Sequence, residues 1–261
     1  MPELPDLEIF KGNIYKRLSS RRLKNVHVYN LKKVTTPQSF FASELQGREL
    51  TAINRFGKEL LFDFADGKIV SAHLMLSGRV SILSDPAAVA NTRYKIFSLE
   101  FENETIVFSD TGELCTIKYK PVLGGTPDAF GDDFTLEYFQ KIARKKAATN
   151  IKAFLIDQKV VKGIGNAYAD EILWHARISP HCLVGEIPDT AIVTLYNSII
   201  TVLKDAVESI RAIAPDIISG EERSFLHVHT KLKKQTATGF PIIVERIASK
   251  TTYYTKEQVF Y

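Results

Sequence analysis

The chain of 261 residues has only two cysteines, Cys115 and Cys182, and no Cys-x-x-Cys pair. That excludes a disulfide framework and, by spacing, a cysteine zinc site. Two isolated thiols suit a reducing compartment. No run approaches the roughly 18 apolar residues of a membrane span, so no membrane association is expected. The first thirty residues carry charges throughout and lack an apolar core, so no signal peptide is read. There is no internal repeat and no low-complexity stretch. The excess of positive charge is small: 34 Lys and Arg against 30 Asp and Glu, a formal net charge of +4. Such a balance permits a polyanionic partner without demanding one. What the chain does have is apolar content, 45% of residues. That is enough to build a core over one large domain or two to three small ones.

Charge is distributed more tellingly than its total suggests. Between Lys141 and Lys162 stand seven cations (Lys141, Arg144, Lys145, Lys146, Lys152, Lys159 and Lys162) against one anion, Asp157. Lys231, Lys233 and Lys234 form a second cluster. Either run can be a solvated face or a phosphate-binding surface.

The start, Met1-Pro2-Glu3-Leu4-Pro5-Asp6, carries chemistry. Removal of Met1 would leave the Pro2 nitrogen as a free secondary amine. An α-amino group ordinarily titrates near ~7.7–8.0, so a useful fraction would be nucleophilic at cellular pH. Such an amine can form an iminium with an aldehyde or displace a leaving group on carbon, with Glu3 beside it to move protons. The plainer reading is a helix lead-in with Pro5 in the first turn.

Leu7, Phe10, Ile14 and Leu18 then recur at helical spacing. Residues 22–120 read as short strands: 26–29, 60–64 and 69–70 around the Asp66-Gly67 turn, then 96–101 and 105–108 around 102–104. This spacing predicts a β-sandwich or barrel. Gly124-Gly125-Thr126-Pro127-Asp128 marks a boundary. Beyond it helices are predicted near 135–146, 149–157, 166–176 and 188–213. A final hairpin is predicted from 241–247 and 251–255. The fold class is thus α+β. An N-terminal helix and β-sandwich domain spans 1–125, a helical domain 126–220, and a β-hairpin tail 221–261.

Gly163-Ile164-Gly165-Asn166 falls between two helices in the basic region. The glycines break one helix, and Asn166 is placed to cap the next. A helix N-terminus is an anion site, and with Lys152 and Lys162 nearby a nucleic-acid phosphate is the natural ligand.

Pro-Glu-Leu-Pro at the N-terminus, Gly57-Lys58, His73-Leu74-x-x-Ser77-Gly78, and Gly163-Ile-Gly-Asn-x-Tyr-Ala-Asp-Glu171 followed by Ile178-Ser179-Pro180 occur in this order. Together they resemble the formamidopyrimidine-DNA glycosylase/endonuclease VIII family of base-excision repair, over essentially the whole chain. The resemblance implies a two-layer antiparallel sandwich, a helix-two-turns-helix domain and a finger. It implies a bifunctional DNA glycosylase/AP lyase that needs no cofactor. Pro2 would attack C1′ of an oxidised nucleoside and expel the base. The iminium would then break the strand by β- and δ-elimination. Carried over by motif, Pro2 is the nucleophile, Glu3 the general acid/base and Lys58 a phosphate-binding catalytic lysine. His73, Gly163, Gly165, Asn166 and the finger-tip Lys250 contact DNA by the same carry-over, and Lys152 joins them from its place in the basic region alone. The implied partner is double-stranded damaged DNA, bound by a monomer. The implied location is the cytoplasm, on the nucleoid in a bacterium, or the nucleus in a eukaryote.

The chain departs from the family pattern in four places, the mildest being Asp6 where the family usually has a glutamate. Gln235, Thr238, Thr255 and Gln258 stand where a four-cysteine zinc finger has its ligands. None replaces a thiolate, so a zincless hairpin with no metal is expected. Lys250 stands for an arginine and loses the bidentate fork. Of the side chains that fill the void left by an extruded base, the methionine is replaced by Leu76, preceded by Met75, and the Arg and Phe by Gly112 and Leu114. Met75, Leu76 and Leu114 are the remaining void-filling candidates. The stretch 222–234, where a lesion-covering loop belongs, matches no pattern. These departures motivate an alternative: a non-catalytic relative that binds damaged DNA.

Overall fold

A computed structural model describes residues 1–34 and 36–261. The chain divides into two compact units. The first comprises Met1–Leu123 and Ile210–Glu221, the second Gly124–Ser209 and Glu222–Tyr261.

In the first unit, helix α1 (Leu4–Leu18) opens on a capping box. The Glu3 N–H donates to the Asp6 carboxylate at 2.8 Å, which satisfies an amide that the helix start leaves unpaired. Leu7, Phe10, Ile14 and Leu18 form its buried stripe, so the 3.6-residue period is used as predicted. Two four-stranded antiparallel sheets follow. One has the order β1 (Asn25–Val28), β6 (Lys95–Glu100), β7 (Thr105–Asp110), β5 (Gly78–Leu83). The other has the order β2 (Leu50–Phe56), β3 (Glu59–Phe64), β4 (Lys68–His73), β8 (Thr116–Tyr119). Phe97, Leu99, Ile106 and Phe108 of the first sheet share one core with Ile53, Phe62, Val70 and Ile117 of the second. Phe62 and Phe108 meet edge to face at 5.7 Å. Burying each such ring stabilises the sandwich by roughly 1.5–3 kcal/mol.

Two short helices interrupt the predicted strand region. Helix α2 (Gln38–Leu45) buries Phe41 and Leu45, one turn apart. Helix α3 (Pro86–Asn91) starts at Asp85, whose carboxylate accepts the Ala87 N–H at 2.9 Å. Asp-Pro is a helix-start signal that the strand reading of 22–120 passed over.

The second unit holds α4 (Leu136–Lys145), α5 (Ile151–Ile156), α6 (Asn166–His175) and the hairpin β9 (Ile243–Ile247)–β10 (Lys250–Tyr254). Ala248 and Ser249 turn the hairpin with φ of 48° and 63°, the left-handed pair of a type I′ turn. Helix α7 (Asp189–Ile213) is long and apolar enough, by length and composition alone, to cross a membrane. Ile192, Leu195, Ile199 and Leu203 along it are buried in the protein.

Candidate active site and nucleic-acid interface

Pro2 lines a cavity of about 540 Å³ together with Leu76, Ser77, Arg79, Ser219 and Glu221. Glu3 lies next to it at the head of α1 and is buried. One wall of the cavity comes from the segment 217–221. Asn13 Nδ2 donates to the carbonyls of Pro215 and Ile217, both at 2.8 Å. Ser219 Oγ accepts the Val80 N–H at 3.0 Å. The Met1 ammonium pairs with the Glu221 carboxylate. Neither Asn13, Arg79, Ser219 nor Glu221 stands out in the sequence. Their signal lies in contacts between positions about 140 to 220 residues apart.

Lys58 is nearly buried, just after Gly57, which turns β2 into β3 with φ +59°. This turn is tied to α1: Arg55 Nε donates to Glu8 at 2.7 Å, and Arg55 Nη1 to the Gly57 carbonyl at 3.0 Å. The β3–β4 register pairs Glu59 with His73, bringing Lys58 and His73 to one end of the sheet. Burial holds His73 below its ordinary range, and the Lys58 and Lys118 charges add to that against the pull of Glu59. His73 is therefore neutral near pH 7. Its Nδ1 accepts the Met75 N–H at 3.1 Å, so the ring proton sits on Nε2.

The His73–Gly78 turn presents the void-filling candidates. Met75 has φ +54°, and Leu76 is 65% exposed. A Cβ on Gly78 would stand 2.2 Å from the Leu74 carbonyl oxygen, so only glycine closes this turn. Leu114 is half-buried in the next loop. Asp110 joins the two loops. Its carboxylate accepts from Ser77 Oγ and from the amides of Gly112, Leu114 and Cys115 at 2.9, 2.7 and 2.7 Å. Burial works to raise the Asp110 carboxyl, but these hydrogen bonds outweigh it and hold the group below the ordinary carboxylate range.

In the second unit, α5 is capped by Asn150, whose Oδ1 accepts from Lys152 and Ala153. Gly163 has φ +103°, and its N–H donates to Gln158 Oε1 at 3.0 Å. The N-cap of α6 is Gly165, not Asn166. Asn166 is the first helical residue, and its Nδ2 reaches the hairpin, donating to the Thr251 carbonyl at 3.0 Å. Asn166 therefore stands beside Thr251, the residue after the finger-tip Lys250, which is exposed.

Lys152 does not have the place expected of a phosphate contact. It is fully buried, and its ammonium lies 2.7 Å from Asp170 Oδ1. It also donates to Thr252 Oγ1 at 2.7 Å and to the Thr251 carbonyl at 3.1 Å. Asp170 Oδ2 accepts the Tyr253 N–H and pairs with His229 Nδ1 at 2.7 Å. Glu171 accepts the amides of His227, Val228 and His229 at 2.7–2.9 Å. The two carboxylates of α6 thus hold both β10 and the stretch 227–229. A buried charge must be paired, and Asp170 supplies the partner that the local sequence around Lys152 does not reveal.

Within 222–234, Leu226 and Val228 are buried, and Arg223 lies over the Tyr168 ring, 5.0 Å from its centroid.

Residues 1–117 match the formamidopyrimidine-DNA glycosylase N-terminal domain, and residues 125–214 match the formamidopyrimidine-DNA glycosylase H2TH domain. The chain is 30% identical to the formamidopyrimidine-DNA glycosylase of Enterococcus faecalis, over 97% of this chain and 95% of that one. It is 29% identical to that of Carboxydothermus hydrogenoformans, over 97% and 98%. Among solved structures it is similar to a variant of Lactococcus lactis Fpg in complex with a Fapy-dG containing DNA. That match has a TM-score of 0.85 and 25% identity, over 98% of this chain and 99% of the other. L. lactis Fpg with an abasic site containing DNA shares the fold at a TM-score of 0.86 and 24% identity, over 99% and 100%. The fold and these motifs define a sandwich-plus-H2TH DNA glycosylase class. The chain belongs to the formamidopyrimidine-DNA glycosylase family.

Proposed function

We infer that the chain acts as its family does. It is a DNA glycosylase of base-excision repair, with the AP lyase activity general to the family. Its partner is double-stranded DNA carrying oxidised bases or abasic sites. The observation that carries this reading is Pro2, lining an open cavity next to the buried Glu3. A base inside the duplex is out of reach, so it is extruded at a cost of about a few kcal/mol. With Met1 removed, the Pro2 amine attacks C1′, the base leaves with a proton supplied through Glu3, and the sugar opens to an iminium on the proline nitrogen. That cation stabilises the carbanion required for strand elimination. Lys58 and neutral His73, donating through Nε2, grip phosphate at one sheet end. Asn166 and Lys250 do so on the helix–hairpin face. Fixed phosphates hold the register of the distorted duplex.

A second reading, damage binding without catalysis, is favoured by one observation: Gly112 has no side chain with which to fill the void. Borohydride trapping on duplex DNA with one abasic site separates the two. Met1-processed protein is expected to give a covalent adduct that is absent when Met1 is retained. Intact binding with no adduct would leave the non-catalytic reading.

A further inference from the structure

Of the groups lining the Pro2 cavity, Arg79 has no role in the proposed chemistry. It follows Gly78 at the start of β5 and is exposed to the cavity. Its guanidinium lies over Gly220. A Cβ there would stand 2.9 Å from Arg79 Nη1, and the +91° φ of Gly220 disfavours any side chain. The backbone beneath Arg79 is itself fixed, because Val80 donates to Ser219 Oγ and Asn13 holds 215–217. The guanidinium is thus seated on a positioned glycine, in the same cavity that Pro2 lines. It is always charged, it only donates, and its planar fork matches paired acceptors.

We propose that Arg79 is a specificity-determining residue, reading the extruded base through a carbonyl-bearing edge. This rests on the glycosylase reading above and adds a substrate class to it. A donor-only fork accepts bases that turn carbonyl oxygens toward it, such as oxidised bases of the uracil type and hydantoins. Where oxidised cytosine carries its 4-amino group in place of the uracil O4, donor meets donor and that contact is lost, so the discrimination requires Arg79 to face the C4 edge. The lesion range therefore follows acceptor chemistry in this cavity.

The test uses Met1-processed protein carrying Glu3→Gln, so that binding is read without base excision. Affinities are measured for three duplexes, carrying 5-hydroxyuracil, 5-hydroxycytosine or a tetrahydrofuran abasic analogue. Without Arg79→Leu, the 5-hydroxyuracil duplex is expected to bind more tightly than the 5-hydroxycytosine duplex. With Arg79→Leu, that preference is expected to fall about tenfold, with affinity for the abasic analogue unchanged. Arg79→Lys should keep the charge and recover only part of the preference. Equal weakening on all three duplexes would make Arg79 a phosphate contact, and no change on any would leave it without a role; either overturns the proposal. The glycosylase reading fails separately, if protein with Glu3 intact gives no borohydride adduct.

Discussion

The surroundings of Pro2 and of Lys152 both hold ionised groups, exposed around Pro2 and fully buried around Lys152, and they differ in where those groups point. Around Pro2, Arg79 and Glu221 border an open cavity of about 540 Å³. Around Lys152 the charges face inward. The ammonium meets Asp170 at 2.7 Å and the Thr252 hydroxyl at the same distance, with both ionised side chains fully buried. The lesson is that a basic motif residue is not a ligand-binding residue until its geometry is known. Lys152 belongs to the run of seven cations between Lys141 and Lys162, yet its charge holds β10 and α6 together.

The comparison breaks most sharply under substitution at Pro2 and Glu3. With Met1 removed, Pro2→Gly should reduce base excision sharply. Glu3→Gln should abolish it, a loss of at least about a hundredfold, the low end of general acid–base contributions. Both should leave duplex affinity within a few-fold. Single-turnover excision and equilibrium binding measure the two sides. Loss of binding in both variants would make these residues structural and erase the contrast with Lys152.

At Lys152 the expected damage is to folding. Lys152→Met takes the ammonium away from the buried Asp170 carboxylate, which keeps only His229 and the Tyr253 N–H, and breaking a buried ion pair costs about 3–5 kcal/mol. Denaturant melts should show it. The double variant Lys152→Met/Asp170→Leu should recover part of the loss, because an apolar pair of similar volume often equals a buried ion pair, while the Tyr253 N–H and His229 lose their acceptor. A Lys152→Met protein of unchanged stability but weakened DNA binding would restore lysine to the phosphate surface.

Asp110 sharpens the contrast within the first unit, since it joins the loops that carry Leu76 and Leu114 and is not among the residues lining the cavity. Its native carboxyl lies below the ordinary range. Its contribution is therefore fully present above the ordinary carboxylate pKa of about 4 and is lost as pH falls through the lowered native value. Wild-type melting temperature should fall across that acid window, and Asp110→Asn should show a shallower fall from a lower start. Parallel curves for the two proteins would remove Asp110 from the account.

How much of this was legible follows from which interactions are local. Helix α1, the β3–β4 and β6–β7 hairpins, α4 to α7 and the tail hairpin follow from periodicity and turn residues within a few positions. The α+β sandwich-plus-helical architecture follows from their order. Helix α2 was hidden because eight residues with two buried apolar positions give no sustained period. Helix α3 was missed although Asp85-Pro86 announced it. The Pro2–Glu3 pair was legible because it is contiguous. The cavity wall at 217–221 and the Glu8–Arg55–Gly57 tie were not, since each joins distant segments. Asn166 could be placed at a helix start from Gly-x-Gly-Asn, but its bond to Thr251 depends on a hairpin more than eighty residues away.

The tail supplies the smallest expected effect and the last test of what holds the second unit together. A zinc site needs thiolate, imidazole or carboxylate donors grouped within about 2.0–2.3 Å of one centre. Among the described residues, no three His, Cys, Asp or Glu side chains are so grouped. The four positions that align with ligands instead bond within the protein. Gln258 Oε1 accepts the Thr255 N–H, and its Nε2 donates to the Ile178 carbonyl, both at 2.8 Å. Thr238 Oγ1 meets Thr236 Oγ1 at 2.7 Å, and Gln235 forms a bridge to Pro241. Alongside them, the Glu257 carboxylate accepts from Trp174 Nε1 at 3.1 Å and pairs with Arg177 at 2.6 Å. These contacts tie the hairpin base to α6 and the turn after it, as a metal would tie the two halves of a finger. Incubation with a strong chelator should therefore leave melting temperature and DNA affinity unchanged. Gln258→Ala should lower stability by about 1–3 kcal/mol, the cost of unpairing buried polar groups. A chelator-induced drop larger than that of Gln258→Ala would mean that a metal, and not this amide, closes the finger.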